Sequence, residues 1–322
     1  MAKTSADHPH NGSLSSSHGS LRNSSKPHDK LSSTQGKLTI CPTPIGNLGD
    51  MTPRALKALE EADAVCAEDT RVTGKLLASF NIHTRLERLD ENTIAQRGEA
   101  IIQRVAAGER IAYCSDAGMP GVSDPGQRLV ALAHEAEVPV EVLPGATATA
   151  TAYVASGFTC PRFYFGGFFP RKDSQRCSTL ESLKGLDAVL LFYESPHRVL
   201  DALQAIEKTM PLRRVAVCRE LTKLHEEVAL GSATELLEVF SEREASEGIK
   251  GEIVLVIDAP SEAEQSAEAQ SAALQANDRA AELAAQGLRS KQISKQLVAE
   301  FGLSRNDAYE LALSALDAQK ES

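Results

Sequence analysis

The sequence lacks the patterns by which several common enzyme and metal-binding classes are recognised. Its 322 residues contain no G-x-G-x-x-G after a strand-like run, no G-x-x-x-x-G-K-[ST], no H-E-x-x-H and no G-x-S-x-G. These absences argue against Rossmann dinucleotide binding, P-loop hydrolysis, zinc-peptidase chemistry and α/β-hydrolase chemistry. The six cysteines form no C-x-x-C pair. We therefore expect no metal site and no disulfide framework.

The chain also lacks a basic excess and a long apolar run. Its net charge of -10 argues against a protein held on nucleic acid by charge alone, although a local basic cleft is still compatible with RNA. No apolar segment approaches the length of a membrane-spanning helix, and the Ser- and His-rich start has no apolar core of a secretion signal. We therefore predict a cytoplasmic protein without a membrane partner, with a disordered tail over residues 1–36.

Strand-like and helix-like segments alternate in the body of the chain. Short apolar runs, each ending in a loop rich in turn residues or acids, lie at 38–41, 64–67, 111–114 and 140–143. Helical patterns between these runs predict a parallel α/β sheet, in which ligands bind at the carboxyl ends of the strands. Further apolar runs, which predict a second sheet, lie at 188–193, 215–218 and 253–257.

This pattern predicts three folded parts. We expect α/β domains over residues 37–157 and 158–260, and a helical module over residues 276–322. The Ala- and Glu-rich stretch at 260–275 reads as a linker or a loose helix. The helical module is compatible with a helix-turn-helix or with an appendage packed on the body.

The loops at the strand ends are the first functional clue. Their Gly and Pro residues form rigid backbone surfaces that a ligand can approach closely. Such a surface suits a charged adenosine ligand, because amides can bond its adenine and carboxylate while carboxylates face its sulfonium. The same composition also occurs in simple tight turns, so both interpretations stay open at this point.

Eight motifs in a fixed order make the pattern specific. They read TPIGNL, EDTR, SDAGMPGVSDPG, PGATATA, GFFPRK, FYESPHR, RELTKLHEE and KGEIVLVI. Together they resemble the small-subunit rRNA methyltransferase I family, which belongs with the tetrapyrrole methylases and the diphthine synthases. The resemblance covers roughly residues 37–258 and extends to the helical end. Two departures are Met119 and Ala146, where that family usually has Thr and Pro.

The resemblance implies a fold, a reaction and partners. The fold is a two-domain tetrapyrrole-methylase-like α/β fold with a cofactor cleft between the domains, plus a small helical C-terminal module. The reaction is S-adenosylmethionine-dependent 2′-O-methylation of a cytidine in 16S rRNA, and the small ribosomal subunit is the expected partner of a homodimer. A small-molecule methyltransferase acting on a tetrapyrrole and a non-catalytic ribosome-assembly factor are the alternatives.

The resemblance also implies site residues. The cofactor-binding candidates are Gly46, Asp116, Ala117, Gly118, Ser123, Asp124, Pro125, Gly145, Ala146, Thr147 and Tyr193. A weakly acidic 2′-hydroxyl needs a general base, and the candidates are Glu68, Asp69, Glu194 and Glu220, with Glu194 preferred because it would lie between cofactor and substrate. RNA contacts are expected from Arg71, Arg171, Lys172, Arg176, Arg198 and Lys223.

Simpler structural roles compete with several of these assignments. Asp116 and Asp124 are compatible with turn residues, and Arg71 with an ion pair to the neighbouring acids. Tyr193, Phe168 and Phe169 could stack an extruded base. Core packing is the more frequent environment of Phe, and we expect it for Phe168.

Overall fold

The computed structural model describes residues 36–320, so the tail predicted over residues 1–36 lies, apart from Gly36, outside the described residues. The strands are β1 (Lys37–Ile40), β2 (Ala64–Ala67), β3 (Leu86–Arg88), β4 (Arg110–Cys114), β5 (Val140–Val142), β6 (Phe163–Phe168), β7 (Val189–Glu194), β8 (Arg214–Arg219), β9 (Glu227–Ser232) and β10 (Ile253–Ile257). The α-helices are α1 (Pro53–Glu61), α2 (Thr70–Ser79), α3 (Glu91–Ala106), α4 (Gly126–Glu135), α5 (Ala148–Ser156), α6 (Asp173–Leu183), α7 (Val199–Thr209), α8 (Ala233–Ser246), α9 (Glu262–Ala285), α10 (Ser290–Phe301) and α11 (Arg305–Lys320). Short 3₁₀ turns lie at Leu48–Asp50 and Pro196–Arg198.

The first sheet is parallel throughout, in the order β3-β2-β4-β1-β5. Helices α3 and α4 pack on one face through residues such as Ile101 and Leu129. Helices α1 and α2 pack on the other face through Leu59 and Leu77. Burial on both faces explains why the inner strands β2 and β4 are nearly continuous apolar runs. The predicted α/β class is confirmed.

Local sequence determines where the helices of this half begin. The Thr52 hydroxyl accepts a hydrogen bond from the Ala55 backbone N–H at 3.2 Å, and Pro53 occupies the first position of α1, as the sequence predicts. The Asp69 carboxylate caps α2 by accepting from the Arg71 N–H at 2.8 Å. Helix α2 therefore starts just past the end of β2, whereas a longer loop connects β1 to α1.

The second sheet is mixed, in the order β6-β7-β10-β8-β9. Strands β6 and β7 are parallel, and the other neighbours are antiparallel. Helices α6, α7 and α8 cover one face, and α5 packs on the other. At the β9 edge, Glu227 accepts from Arg219 at 2.8 Å and from Arg243 at 2.6 Å, which holds the pKa of this carboxyl at about 2. Strands β6 and β9 were not predicted from the sequence.

An irregularity in β6 determines the environments of two aromatic side chains. The pairing with β7 shifts between Phe165 and Phe168, around Gly167 in a left-handed conformation (φ +70°). Phe168 is consequently 64% exposed, whereas Phe169 is buried against Phe192 with ring centroids 4.6 Å apart. The expectation that Phe168 packs in the core is wrong, because the extra residue of the bulge turns its ring outward.

The C-terminal helices form a cluster with its own buried core. Helix α9 begins at a capping box between Ser261 and Glu264, so the stretch after residue 260 is regular helix rather than a linker. The three helices pack around Leu283, Ile293 and other small and branched side chains. No helix within residues 36–320 is long and apolar enough to cross a membrane. The predicted boundaries at residues 157, 260 and 276 stay predictions.

Candidate functional site

A cleft of about 480 Å³ opens where the strand-end loops of the two sheets meet. The first half contributes the ends of β2 and β4 and the start of α5; the second contributes the ends of β6 and β7 and the start of β10. The lining residues are Ile45, Glu68, Ser115, Asp116, Ala117, Gly118, Met119, Val122, Ser123, Asp124, Thr147, Ala148, Phe168, Tyr193, Glu194, Ser195, Pro196, Cys218, Leu221, Gly251, Glu252, Ile253 and Val254.

The loop after β4 is fixed by backbone hydrogen bonds. Thr43 and Gly118 exchange two such bonds, at 2.9 and 3.1 Å, which tie this loop to the one after β1. Gly118 has φ +78°, and a Cβ there would lie 3.2 Å from the Ile45 side chain. The Asp116 carboxylate accepts from the Asp69 N–H at 2.9 Å. Asp116 therefore both stabilises a loop and faces the cleft.

Asp124 closes the turn before α4. Its carboxylate accepts from the Gly121 N–H at 2.8 Å and from the Gly126 N–H at 2.9 Å. This is the turn role that the sequence left open, although Asp124 and the exposed Ser123 also line the cleft. Pro125 is buried at the start of α4 and does not belong to the lining.

Aromatic side chains form the opposite wall. The Tyr193 hydroxyl lies 3.0 Å from the Thr149 hydroxyl, and burial raises the pKa of Tyr193. Its ring makes edge contacts with Phe165 at 4.8 Å and with Phe168 at 5.5 Å between centroids. Phe168 thus presents an exposed aromatic surface on a rigid support at the mouth of the cleft.

Glu194 is the buried carboxylate of this wall. Its Oε1 atom accepts from the Ser195 N–H at 2.6 Å and pairs with Arg198 at 2.5 Å. Its Oε2 atom is buried and has no hydrogen-bond partner within residues 36–320. Burial raises the pKa of Glu194, and the Ser195 N–H and two arginines, Arg198 and Arg176, oppose the rise.

Glu68 and Asp69 are adjacent in sequence and differ in environment. Glu68 is half-buried in the cleft, where burial and then the nearby Asp116 and Asp124 raise the pKa of its carboxyl. Asp69 points away to Arg71, and hydrogen bonds from Arg71 lower the pKa of that carboxyl. The structure therefore brings Glu68, and not Asp69, to the cleft.

The segment after β8 reaches the cleft edge in strained backbone. Glu220 and Thr222 have φ +51° and +66°, an uncommon conformation for residues with a Cβ. Lys223 pairs with Glu220 at 2.8 Å and with Glu252 at 3.0 Å, and its hydrogen bond lowers the pKa of Glu220. Gly251 has φ +96°, and a Cβ there would lie 2.4 Å from the Glu220 side chain.

Several of the predicted cofactor contacts lie outside the cleft lining. A Cβ on Gly46 would lie 2.4 Å from the Lys223 side chain, so Gly46 permits close approach of the two halves. A Cβ on Gly145 would lie 2.3 Å from Pro42. Ala146 packs in the apolar cluster between α5 and the second sheet. Thr147, in contrast, lines the cleft at the start of α5.

The predicted RNA-binding cations have three different environments. Arg71, Arg198 and Lys223 are already paired with acids. Arg171 and Lys172 are exposed after β6 and make no ion pair with any described residue. Arg176 is only 3% exposed and pairs with Asp201 at 3.3 Å. The expectation of an RNA contact from Arg176 is therefore wrong, because α6 packs its side chain inward.

The sequence did not identify the apolar part of the cleft. Its members are Ile45, Val122, Leu221, Ile253 and Val254. Ile45, Leu221, Ile253 and Val254 belong to the TPIGNL, RELTKLHEE and KGEIVLVI motifs, and this position in the motifs was the one signal that could have identified them. Their apolar side chains gave no chemical signal, however, and only the meeting of the two sheets brings them together.

Comparisons with known proteins place this chain in a family. The tetrapyrrole (corrin/porphyrin) methylase family model matches residues 37–237. A ribosomal RNA small subunit methyltransferase I from Halalkalibacterium halodurans is 41% identical over 277 residues, which cover 86% of this chain and 94% of the relative. The protein of the same name from Synechocystis is 40% identical, covering 86% of this chain and 98% of the relative. The chain belongs to the ribosomal RNA small subunit methyltransferase I family of the tetrapyrrole methylases.

Solved structures agree on the fold of this family. A diphthine synthase superposes with a TM-score of 0.54 at 15% sequence identity, covering 69% of this chain and 90% of that chain. A likeness at this identity concerns the arrangement of the two sheets only. Membership of a methylase family makes the chain a methyltransferase, and the predicted tetrapyrrole-methylase-like fold is confirmed.

Proposed function

We propose that the enzyme transfers a methyl group from S-adenosylmethionine to the 2′-hydroxyl of a cytidine in 16S rRNA. The observation that carries this proposal is the cleft itself, where carboxylates from one sheet and aromatic side chains from the other surround about 480 Å³. Relatives covering most of the chain bear names that specify small-subunit rRNA. Because the substrate is ribosomal, we expect the enzyme in the cytoplasm.

The cleft residues fit an adenosine ligand that carries a sulfonium. Gly118 and Gly251 line the cleft with positive φ values that disfavour a side chain, so the cleft wall at these two positions is bare backbone. The start of α5 at Thr147 offers amides and a helix dipole to a carboxylate. Glu68 and Asp116 supply negative charge for a positively charged group. S-adenosylmethionine provides a methyl group on such a sulfonium, and the chain's contribution is to orient it and exclude water.

Among the four candidate bases, Glu68 has the most suitable environment. Asp69 and Glu220 are held as carboxylates by Arg71 and Lys223, which lowers their basicity. Glu194 is committed to Arg198, and its side chain has no exposed surface. Glu68 is accessible in the cleft, has no cation partner, and has a raised pKa. We therefore assign to Glu68 the removal of the proton from the 2′-hydroxyl. Glu194 instead holds the Arg198 side chain in position.

Exposed groups beside the cleft are suited to RNA. Phe168 offers a stacking surface for a base removed from its helix. Arg171 and Lys172 follow it in sequence and are free for phosphates, since no described acid pairs with them. These groups form a small RNA-binding surface on a chain whose net charge is negative. Such a surface favours selective binding over binding driven by overall charge.

The experiment that tests this function compares acceptors. Purified enzyme is incubated with tritiated S-adenosylmethionine and, separately, unmodified small ribosomal subunits, free 16S rRNA and a tetrapyrrole. We expect label in RNA only. Label in the tetrapyrrole alone would replace this function with small-molecule methylation, and cofactor binding without label in any acceptor would favour an assembly factor. Light scattering on the same sample tests the expected homodimer.

A further inference from the structure

A second cavity, of about 230 Å³, adjoins the cleft on the first half of the molecule. It lies between the loop after β1 and helix α2. Asp116 lines both cavities, so the two are neighbours that share one lining residue. No step of methyl transfer described above uses this second cavity.

The wall of the second cavity contains an unsatisfied hydroxyl. Thr73 is 1% exposed, and its Oγ1 atom has no hydrogen-bond partner within residues 36–320. On the same helix, the Ser79 hydroxyl donates to the Lys75 carbonyl at 2.9 Å, the usual partner one turn back. A buried hydroxyl without a partner is unfavourable unless a ligand completes it.

The other walls combine apolar surface with one cation. Leu48 and Val72, which are 50% and 42% exposed, both line the cavity and give it accessible apolar surface. Lys75 is exposed at the cavity, and no described carboxylate lies within ion-pair distance of it. Asp116 contributes an acceptor on the side of the cleft. This combination matches a nucleotide: the apolar residues suit the faces of a base, the polar groups suit its edge, and the cation suits its phosphate.

We propose that this cavity holds the nucleotide next to the methylated one in the RNA strand. The inference rests on the proposed function and extends it to a second subsite. Continuity favours this occupant, because an RNA strand whose target enters the cleft must place a neighbour on the adjoining surface. The base lies between Leu48 and Val72 with a polar edge toward Thr73, and Lys75 contacts a phosphate.

The test uses two variants of the second cavity and one matched control. Thr73→Val removes the hydroxyl and keeps the side-chain shape, and Lys75→Met removes the cation from the surface. The control is Lys208→Met, which removes an exposed lysine on α7 that does not line the second cavity. For each protein we would measure the Michaelis constant for small ribosomal subunits at several salt concentrations. Calorimetry gives the dissociation constant of S-adenosylmethionine, and thermal melting verifies folding.

The subsite predicts a specific combination of results. Thr73→Val raises the Michaelis constant for RNA about five-fold, as the loss of one hydrogen bond implies. Lys75→Met makes the plot of the logarithm of RNA affinity against the logarithm of salt concentration less steep by about 0.7. This is the slope that one phosphate contact contributes on a single strand. Lys208→Met changes neither quantity, and cofactor binding is the same in all proteins.

Two kinds of failure are distinguishable. Unchanged RNA constants in both Thr73→Val and Lys75→Met would overturn the subsite while the methylation of RNA stands. Cofactor binding that weakens in parallel with RNA binding would also overturn it, because the cavity would then serve the cleft. If the unaltered enzyme labels no RNA, the proposed function fails first, and the nucleotide occupant fails with it. Lys75 is on the surface, so this variant remains informative even if Thr73→Val folds poorly.

Discussion

Two of the cleft carboxylates, Glu68 and Glu194, should respond in opposite ways to removal of their charge. In Glu68→Gln, a raised-pKa carboxyl near two other acids becomes neutral, and no cation loses a partner. We expect unchanged or slightly higher thermal stability. Loss of a general base lowers kcat by about 10²–10⁴-fold.

Glu194→Gln leaves the partly buried Arg198 without its carboxylate partner. The Glu194 side chain has no exposed surface, and Arg198 is 23% exposed beside it. Breaking such a pair costs roughly 3 kcal/mol, at the lower end for buried pairs because Arg198 retains some solvent contact. The corresponding fall in melting temperature is about 5 °C, because a folded body of this length has an unfolding entropy of roughly 0.6 kcal/mol/K. Its kcat should fall less than that of Glu68→Gln at a temperature where both variants are folded.

The assay is single-turnover methyl transfer with saturating cofactor and RNA, from pH 5 to 9, together with calorimetric melting. The raised pKa of Glu68 places the acid limb of the rate profile above the ordinary carboxyl value of about 4.3. The rate increases as the pH rises through that pKa, because the base must lose its proton. Glu68→Gln should abolish this limb. A Glu68→Gln enzyme with the full rate and an intact limb would refute the assignment, as would a larger rate loss in Glu194→Gln.

Three further predictions concern other parts of the molecule. Phe168→Ala should raise the Michaelis constant for RNA about 5–100-fold through lost stacking, with stability nearly unchanged. The control is Phe163→Ala, because Phe163 is exposed on the same strand outside the cleft, and this variant should leave the Michaelis constant unchanged. Equal effects of the two variants on the Michaelis constant would contradict the stacking role. Gly251→Ala should lower the free energy of unfolding by about 1–3 kcal/mol because of its positive φ, while Gly185→Ala, with open space around it, should be near neutral in the same urea titration. Glu227→Gln should lower the free energy of unfolding by about 1–3 kcal/mol at pH 7. The pKa of Glu227 is depressed to about 2, so its contribution is present above the ordinary carboxyl pKa and is lost as the pH falls toward 2; a variant with the same pH dependence as the unaltered protein would refute this.

The sequence predicted the loops of the cleft and every strand of the first sheet except β3, for a physical reason. Strands buried on both faces are continuous apolar runs, and Gly, Pro and Asp mark the points where they end. Asp116, Gly118 and Thr147 follow such strands directly. Their shared position at the carboxyl edge of a parallel sheet therefore brings them into one cleft.

The residues that were misplaced depend on tertiary geometry. The outward ring of Phe168 follows from a pairing shift in a strand whose sequence is half exposed. The inward side chain of Arg176 follows from how α6 packs. The sequence also could not distinguish Glu68 from Asp69. They differ only in the folded chain, where the Asp69 carboxylate caps α2 and Glu68 lines the cleft.

The most direct test of the central claim is the position of the transferred methyl group. Small ribosomal subunits labelled with tritiated S-adenosylmethionine would be stripped of protein, and their RNA hydrolysed in alkali. A methylated 2′-oxygen cannot attack its neighbouring phosphate, so we expect one labelled, alkali-resistant dinucleotide with cytidine at its 5′ side. Label in mononucleotides would place the methyl group on a base and contradict 2′-O-methylation.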